Sequence, residues 1–144
     1  MEIYFDTESI DFKLPAVVLT RKWIKETVKN ENEKWKVGEL SFVFCDDTYL
    51  HKMNVEYLSH DTLTDIITFD NSDEENKIEG DIFISVERVR ENAITLKTIF
   101  EQELRRVIIH GVLHLCGYKD KTKKDAQIMR EKEDFYIAKW LAIA

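Results

Sequence analysis

With one proline and four glycines among its 144 residues, the chain has little from which to build a linker, and no low-complexity stretch or internal repeat interrupts it. Hydrophobic residues make up 44% of it and aromatics recur from Tyr4 to Trp140. One core is therefore expected, in a single domain over residues 1–144, near the commonest domain length of roughly 100–150 residues. Cysteine is as scarce. Cys45 and Cys116 stand outside any Cys-x-x-Cys pair, which points to neither a disulfide framework nor a thiolate zinc cage and favours reduced, buried thiols. Residues 1–14 hold Glu2, Asp6, Glu8 and Asp11 but neither a basic leader nor an apolar run of signal-peptide length, so a soluble, cytoplasmic protein with no membrane partner is expected. Positive charge is in deficit too. The formal net charge of −7 argues against broad, sequence-independent attraction to a polyanion. Locally the balance reverses, because Arg105, Arg106, Lys119, Lys121, Lys123 and Lys124 cluster in one stretch. They either face a phosphate-bearing substrate or form an ordinary solvated helix face and turn.

That stretch contains the run His110-Gly111-Val112-Leu113-His114-Leu115-Cys116-Gly117-Tyr118-Lys119-Asp120. Residues four apart lie one turn above each other on a helical face, so His110 and His114 can converge on one ion. Gly117 can adopt the left-handed conformation that ends a helix, and the reversed chain then carries Asp120 back beneath the two imidazoles. Three protein ligands leave a fourth position for water or substrate, which separates a catalytic zinc site from a closed structural one. One zinc ion held by His110, His114 and Asp120 is therefore expected, with catalysis through the bound metal. A lone histidine on an apolar helix is more often a core residue; the pair, the glycine and the carboxylate together point to a metal. His51 and His60 lack such company and read as surface or turn residues.

Two histidines four apart, with a glycine at seven and a third ligand ten beyond the first, also occur in extended metzincin-type protease motifs, so the metal helix is zincin-like. Those motifs place glutamate directly after the first histidine as general base to the metal-bound water. Here that position is Gly111. Losing a general base costs about 100-fold to 10,000-fold in rate, and ordinary zinc peptide hydrolysis is disfavoured. Two histidines and one carboxylate also suit non-haem iron, but the helical His-x-x-x-His arrangement gives that reading little support.

Residues 3–5 and 39–44 read as strands, the second alternating Leu40, Phe42 and Phe44 against Ser41 and Val43. Residues 14–30 read as a helix with Pro15 in its first turn and Val17, Val18, Ile24 and Val28 at helical spacing. Asp46 or Asp47 can cap a short helix burying Leu50, Met53, Val55 and Tyr57. Strands over 65–70 and 80–85 follow, joined by the polar loop 71–79, and Ser85 or a neighbour opens a helix to about Ile94. Thr98-Ile99-Phe100-Glu101 matches a capping box, which would start the metal helix near Thr98, with Leu104, Val107, Ile108, Leu113 and Leu115 buried against a sheet. Thr122-Lys123-Lys124-Asp125 resembles a second box, opening a last helix with Ala126, Met129, Ile137, Trp140 and Ala144 on one stripe. The expected fold is α+β, a small mixed four-stranded sheet covered by about five helices.

Three segments and the metal run together resemble the rRNA maturation RNase family known as YbeY. Met53-Asn54-Val55-Glu56-Tyr57 is similar to the family's Leu-Asn-x-x-Tyr segment, Thr64-Asp65-Ile66-Ile67-Thr68-Phe69 to its Thr-Asp-Val-Leu-Ser-Phe strand, and Gly80-Asp81-Ile82 to its Gly-Asp-Ile strand. His-Gly-x-Leu-His-Leu-x-Gly-Tyr stands intact from His110 to Tyr118, and a Glu-rich stretch like Met129-Arg130-Glu131-Lys132-Glu133 follows it. The resemblance implies a zinc-dependent, single-strand-directed endoribonuclease acting in 16S rRNA maturation, especially at the 3′ end, and in ribosome quality control. Its partners would be the 16S rRNA precursor and the small ribosomal subunit, with no DNA. The chain departs from the pattern twice. Tyr118-Lys119-Asp120 stands where the family has Tyr-Asp-His, and Leu58 stands where the family has a phosphate-gripping arginine.

In this reading Arg105, Arg106, Lys119 and Lys121 are the candidates for RNA phosphate contacts in place of that arginine. Asp65 and Asp81 could hold the outer nitrogens of the ligating histidines, where carboxylates fix the imidazole tautomer, or could cap nearby turns. Glu133, on the apolar stripe of the last helix, reads as the salt-bridge partner of a neighbouring basic residue. Two other functions stay open: a ribosome-assembly binding factor whose zinc holds the fold with weak or no catalysis, and a zinc hydrolase acting on another substrate.

Overall fold

Alternation along the strands gives the sheet two buried faces. Leu40, Phe42, Phe44, Ile82 and Ile84 join a core with Trp23, Ile24 and the apolar residues around His110. On the opposite face Ile67 and Phe83 pack with Leu50 and Tyr49. The computed structural model describes residues 2–144, with the order β1 (Glu2–Thr7), α1 (Val17–Glu31), β2 (Lys36–Cys45), α2 (Asp47–Leu58), β3 (Ile66–Asp70), β4 (Lys77–Ser85), α3 (Val86–Thr95), α4 (Phe100–Leu115) and α5 (Lys123–Ile143). This is the α+β arrangement expected, and the sheet is mixed. Its spatial order is β1-β2-β4-β3, with β1, β2 and β4 parallel and β3 antiparallel at the edge.

Three helix starts follow their sequence signals. Asp46 caps α2 by accepting from the Tyr49 N–H at 2.8 Å, Ser85 caps α3 by accepting from Arg88 N–H at 3.1 Å, and Thr122 caps α5 by accepting from Asp125 N–H at 3.0 Å. Two others differ. Pro15 lies before α1 rather than in its first turn, because the chain first turns through Ala16 in the left-handed region at φ 54°. The capping box expected at Thr98 does not form. Its backbone N–H is already engaged by the Ala93 carbonyl at 3.0 Å, so it cannot take the glutamate, and Ile99 becomes the cap residue. Some apolar stripes are also narrower than expected. Val18 is 80% exposed, and Val55 and Tyr57 face outward while Leu50 and Asn54 are the buried residues of α2. On α5 Met129, Ile137 and Trp140 are buried, whereas Ala126 and Ala144 are not.

α4 lies against β3 and β4 and is flanked by α1, α3 and α5. Gly111 is where it approaches the sheet. A Cβ at this position would lie 2.9 Å from Ile66 Cδ1 and 3.0 Å from Ile82 Cδ1, closer than side-chain atoms normally come. α5 is tied to α1 by the Trp23 indole, which donates to the Tyr136 carbonyl at 2.8 Å and meets Trp140 edge-on at 5.3 Å. Among the described residues no helix is long and apolar enough to cross a membrane. Gly111→Val should overpack the α4–sheet contact at a cost of about 1–3 kcal/mol, seen as a lower urea midpoint at unchanged m-value.

Candidate metal centre and its cleft

The helix α4 sets His110 and His114 one turn apart, their rings 4.5 Å between centroids and nearly perpendicular. It then stops in a Schellman turn. Tyr118 N–H donates to the Leu113 carbonyl at 3.1 Å and Gly117 N–H to the His114 carbonyl at 3.0 Å, with Gly117 at φ 104° as the required left-handed residue. The reversed chain returns Asp120, whose Oδ2 lies 3.2 Å from His110 Nε2 and 3.4 Å from His114 Nε2. Four ligands at about 2.0–2.2 Å around one ion in a tetrahedron are separated by roughly 3.4 Å, so this trio has the spacing of three corners. These three residues are the group of potential metal ligands brought together among the described residues. Asp120 is 41% exposed, which leaves the fourth direction open.

Both outer nitrogens are occupied. His110 Nδ1 meets Glu133 Oε2 at 2.6 Å and His114 Nδ1 meets the Tyr118 carbonyl at 2.9 Å. With Nδ1 as donor on each ring, both Nε2 lone pairs face Asp120 and the fit to a cation is complete; two imidazoles and a carboxylate suit a divalent transition ion. The outer positions foreseen for Asp65 and Asp81 thus belong to Glu133 and a backbone carbonyl. Asp81 instead accepts from Asn71 Nδ2 at 2.8 Å, and Asp65 has a long contact with Asn92 at 3.4 Å. Asp65 still acts on His110 by charge. Burial alone would lower the His110 pKa, but the Glu133 hydrogen bond and charge, with Asp120 and Asp65 beside them, hold it above its ordinary value. Glu133 also has the basic partner its sequence position suggested, Arg106 Nη1 at 2.9 Å.

The trio opens into a cleft of about 770 Å³ between α4, α5 and the edge strand β3. Of the expected phosphate contacts, Arg106 and Lys121 line it. Arg106 is held by Glu133 and by Asp134 at 2.7 Å, while Lys121 makes no ion pair among the described residues. Arg105 is stacked 5.0 Å over Trp140 and, like Lys119, lies outside the cleft lining. Arg130 lines the cleft but was not among the expected phosphate contacts, because no local spacing ties it to the metal run; its guanidinium is 3.8 Å from Glu133 and over half exposed. His51 pairs with Asp61 at 2.8 Å on the surface, and His60 is exposed. Cys45 and Cys116 are free thiols whose pKa burial pushes up to about 12, so neither is a ready thiolate.

Glu103 lies two turns before His110 on the cleft face of α4. It is only 6% exposed and its carboxylate makes no hydrogen bond or ion pair among the described residues. Burial, and then the charge of Asp65, raise its pKa. The folded state therefore favours the proton more than the unfolded state does. Stability on this account is greatest below the unfolded pKa of about 4.3 and falls as pH rises through the folded value. Glu103→Gln should accordingly raise Tm by a few degrees at pH 7, with the gain vanishing near pH 4.

Residues 3–141 match the family described as Endoribonuclease YbeY. A Christiangramia forsetii protein named Endoribonuclease YbeY is 53% identical over 137 residues, covering 95% of this chain and 93% of its own length. One of the same name from Flavobacterium johnsoniae is 52% identical over 136 residues, covering 94% and 95%. The solution structure of TM1509 from Thermotoga maritima superposes with a TM-score of 0.66 at 27% identity, over 98% of this chain and 90% of that one. With the metal trio, the mixed sheet and nearly every residue inside the match, the chain belongs to the YbeY endoribonuclease family.

Proposed function

We propose that the chain is a cytoplasmic, zinc-dependent endoribonuclease that cuts single-stranded RNA, acting in 16S rRNA 3′-end maturation and ribosome quality control on the small subunit and its RNA precursor. The observation that carries the reading is the convergence of His110 Nε2, His114 Nε2 and Asp120 Oδ2 in an open cleft. The names of the relatives supply the reaction class.

A zinc ion held by this trio supplies a Lewis acid for a phosphate oxygen and a lowered pKa for water. The chain's own residues do the rest. Glu133 and the Tyr118 carbonyl fix both imidazoles with Nε2 toward the cleft. Gly111 supplies no base, and its Cα faces the sheet rather than the open side. Phosphoryl transfer tolerates this, because positioning and charge neutralisation dominate it. Lys121 and Arg130, the cleft cations least engaged by carboxylates, grip flanking phosphates, and Arg106 adds positive charge to the cleft while paired with Glu133 and Asp134.

Incubation of the zinc-loaded protein with a defined single-stranded RNA from the 16S 3′ region should give cleavage that His114→Ala loses while remaining folded. Equal cleavage by the variant would overturn the reading. Lys121→Ala and Arg130→Ala should each raise KM more than they lower kcat and reduce the salt slope of RNA binding by about one phosphate contact.

One observation favours a second reading. Leu58 lines the cleft without charge where the family carries arginine, as suits an assembly factor that binds RNA and uses its metal to hold the fold. RNA binding by His114→Ala equal to wild type, with neither protein cleaving, would select it.

A further inference from the structure

A buried carboxylate far from the metal trio in sequence is connected to two of its three ligands. Glu31 closes α1, and its side chain is only 7% exposed. Its Oε1 accepts from the Tyr118 hydroxyl at 2.5 Å. Its Oε2 accepts from the Tyr136 hydroxyl and from Lys132 Nζ at 3.3 Å, and Asn30 Nδ2 donates to the Tyr136 oxygen at 3.0 Å. Burial alone would push the Glu31 carboxyl up, but the two phenols and Lys132 outweigh it and hold it below its ordinary value. The carboxylate therefore stays charged and keeps both phenols oriented.

Tyr118 is the other end of this arrangement. Its N–H closes the Schellman turn, its hydroxyl is held by Glu31, and the Lys132 ammonium lies 5.5 Å over its ring. Pinned at backbone, ring edge and ring face, it has little freedom left, and its carbonyl is the group that accepts from His114 Nδ1. Two residues later the same segment delivers Asp120. His110 is oriented independently by Glu133.

We propose that Glu31 is a positioning residue of the metal centre, acting through Tyr118 to aim His114 and to place Asp120. This rests on the metal reading of His110, His114 and Asp120. The role differs from that of a fold-holding ion pair because it predicts a selective effect on ligand geometry. Tyr136 provides the control: from α5 it binds the same carboxylate, but it shares no hydrogen bond with a metal ligand.

The test is zinc affinity, measured by competition with a chromophoric chelator, alongside the melting temperature of the metal-free protein. Tyr118→Phe and Glu31→Gln should each weaken zinc binding about tenfold, at the lower end of the 10–100-fold effect of groups that orient metal ligands. Tyr136→Phe should lower the melting temperature while leaving zinc affinity within about twofold, well short of that range. In ¹⁵N spectra of the metal-free protein, the His114 Nδ1 signal should move in Tyr118→Phe while that of His110 stays in place. Zinc affinity unchanged in both Tyr118→Phe and Glu31→Gln, with only the melting temperature lowered, would overturn the proposal. Should Glu31→Gln fail to fold, Tyr118→Phe decides alone, since it deletes one oxygen and leaves the backbone carbonyl. Zinc binding that survives in His110→Ala and His114→Ala would instead overturn the metal reading on which the proposal rests.

Discussion

Glu133 is a carboxylate on the apolar stripe of a helix, and it is only 5% exposed. A charge taken out of water must be paired or neutralised. Arg106 and His110 supply the pairing from two positions on α4, four residues apart and therefore on one face. One requirement thus fixes α5 against α4, puts the Nδ1 proton of His110 on the carboxylate side and turns Nε2 toward Asp120. The Trp23–Tyr136 hydrogen bond and the Glu31 cluster then hold α1 to the other side of the same helix. His110, His114 and Asp120 converge at the point where these helices meet.

The site is costly to fold. Half-buried Asp65, near His110, and buried Glu103 are both carboxyls within reach of the Glu133 charge, and desolvation raises the pKa of both. A core optimised for stability alone would replace them with apolar residues. What they border is a cleft with an open ligand position and with Lys121 and Arg130 at its wall. The combination suits a phosphodiester better than a peptide: cations are present, and the position where a protease motif carries its glutamate is a glycine pressed against Ile66 and Ile82. Gly111 has a packing reason independent of chemistry, which a reading of the motif alone does not reveal.

Much of this architecture was legible in the residues. The order of elements followed from alternation in β2, the apolar run of β4 and the caps at Asp46, Ser85 and Thr122, because each is a local signal read over a few neighbours. The convergence of His110, His114 and Asp120 was legible for the same reason, since helical spacing and one left-handed glycine determine where three side chains go. Failures occurred where a distant partner decides. Val55 and Tyr57 stay outward because α2 covers the sheet through Leu50, and the Thr98 box was lost more locally, its N–H going to the Ala93 carbonyl five residues earlier so that the helix starts one residue later at Ile99. The groups that orient the histidines were hidden as well. Glu133 is 23 residues from His110 and Glu31 is 87 from Tyr118, and no periodicity links such positions. Glu133 left one trace, a charge on an apolar stripe, from which its pairing to a basic neighbour could be read but not its hold on His110.

The central claim is that His110, His114 and Asp120 form one open, three-ligand metal site. X-ray absorption at the zinc edge of stoichiometrically loaded protein tests it most directly. The expected result is one zinc per chain, two imidazole nitrogens at about 2.0–2.1 Å and oxygen neighbours at about 2.0–2.2 Å. A sulfur shell near 2.3 Å, which would bring in Cys116, or an ion with a single imidazole would contradict it.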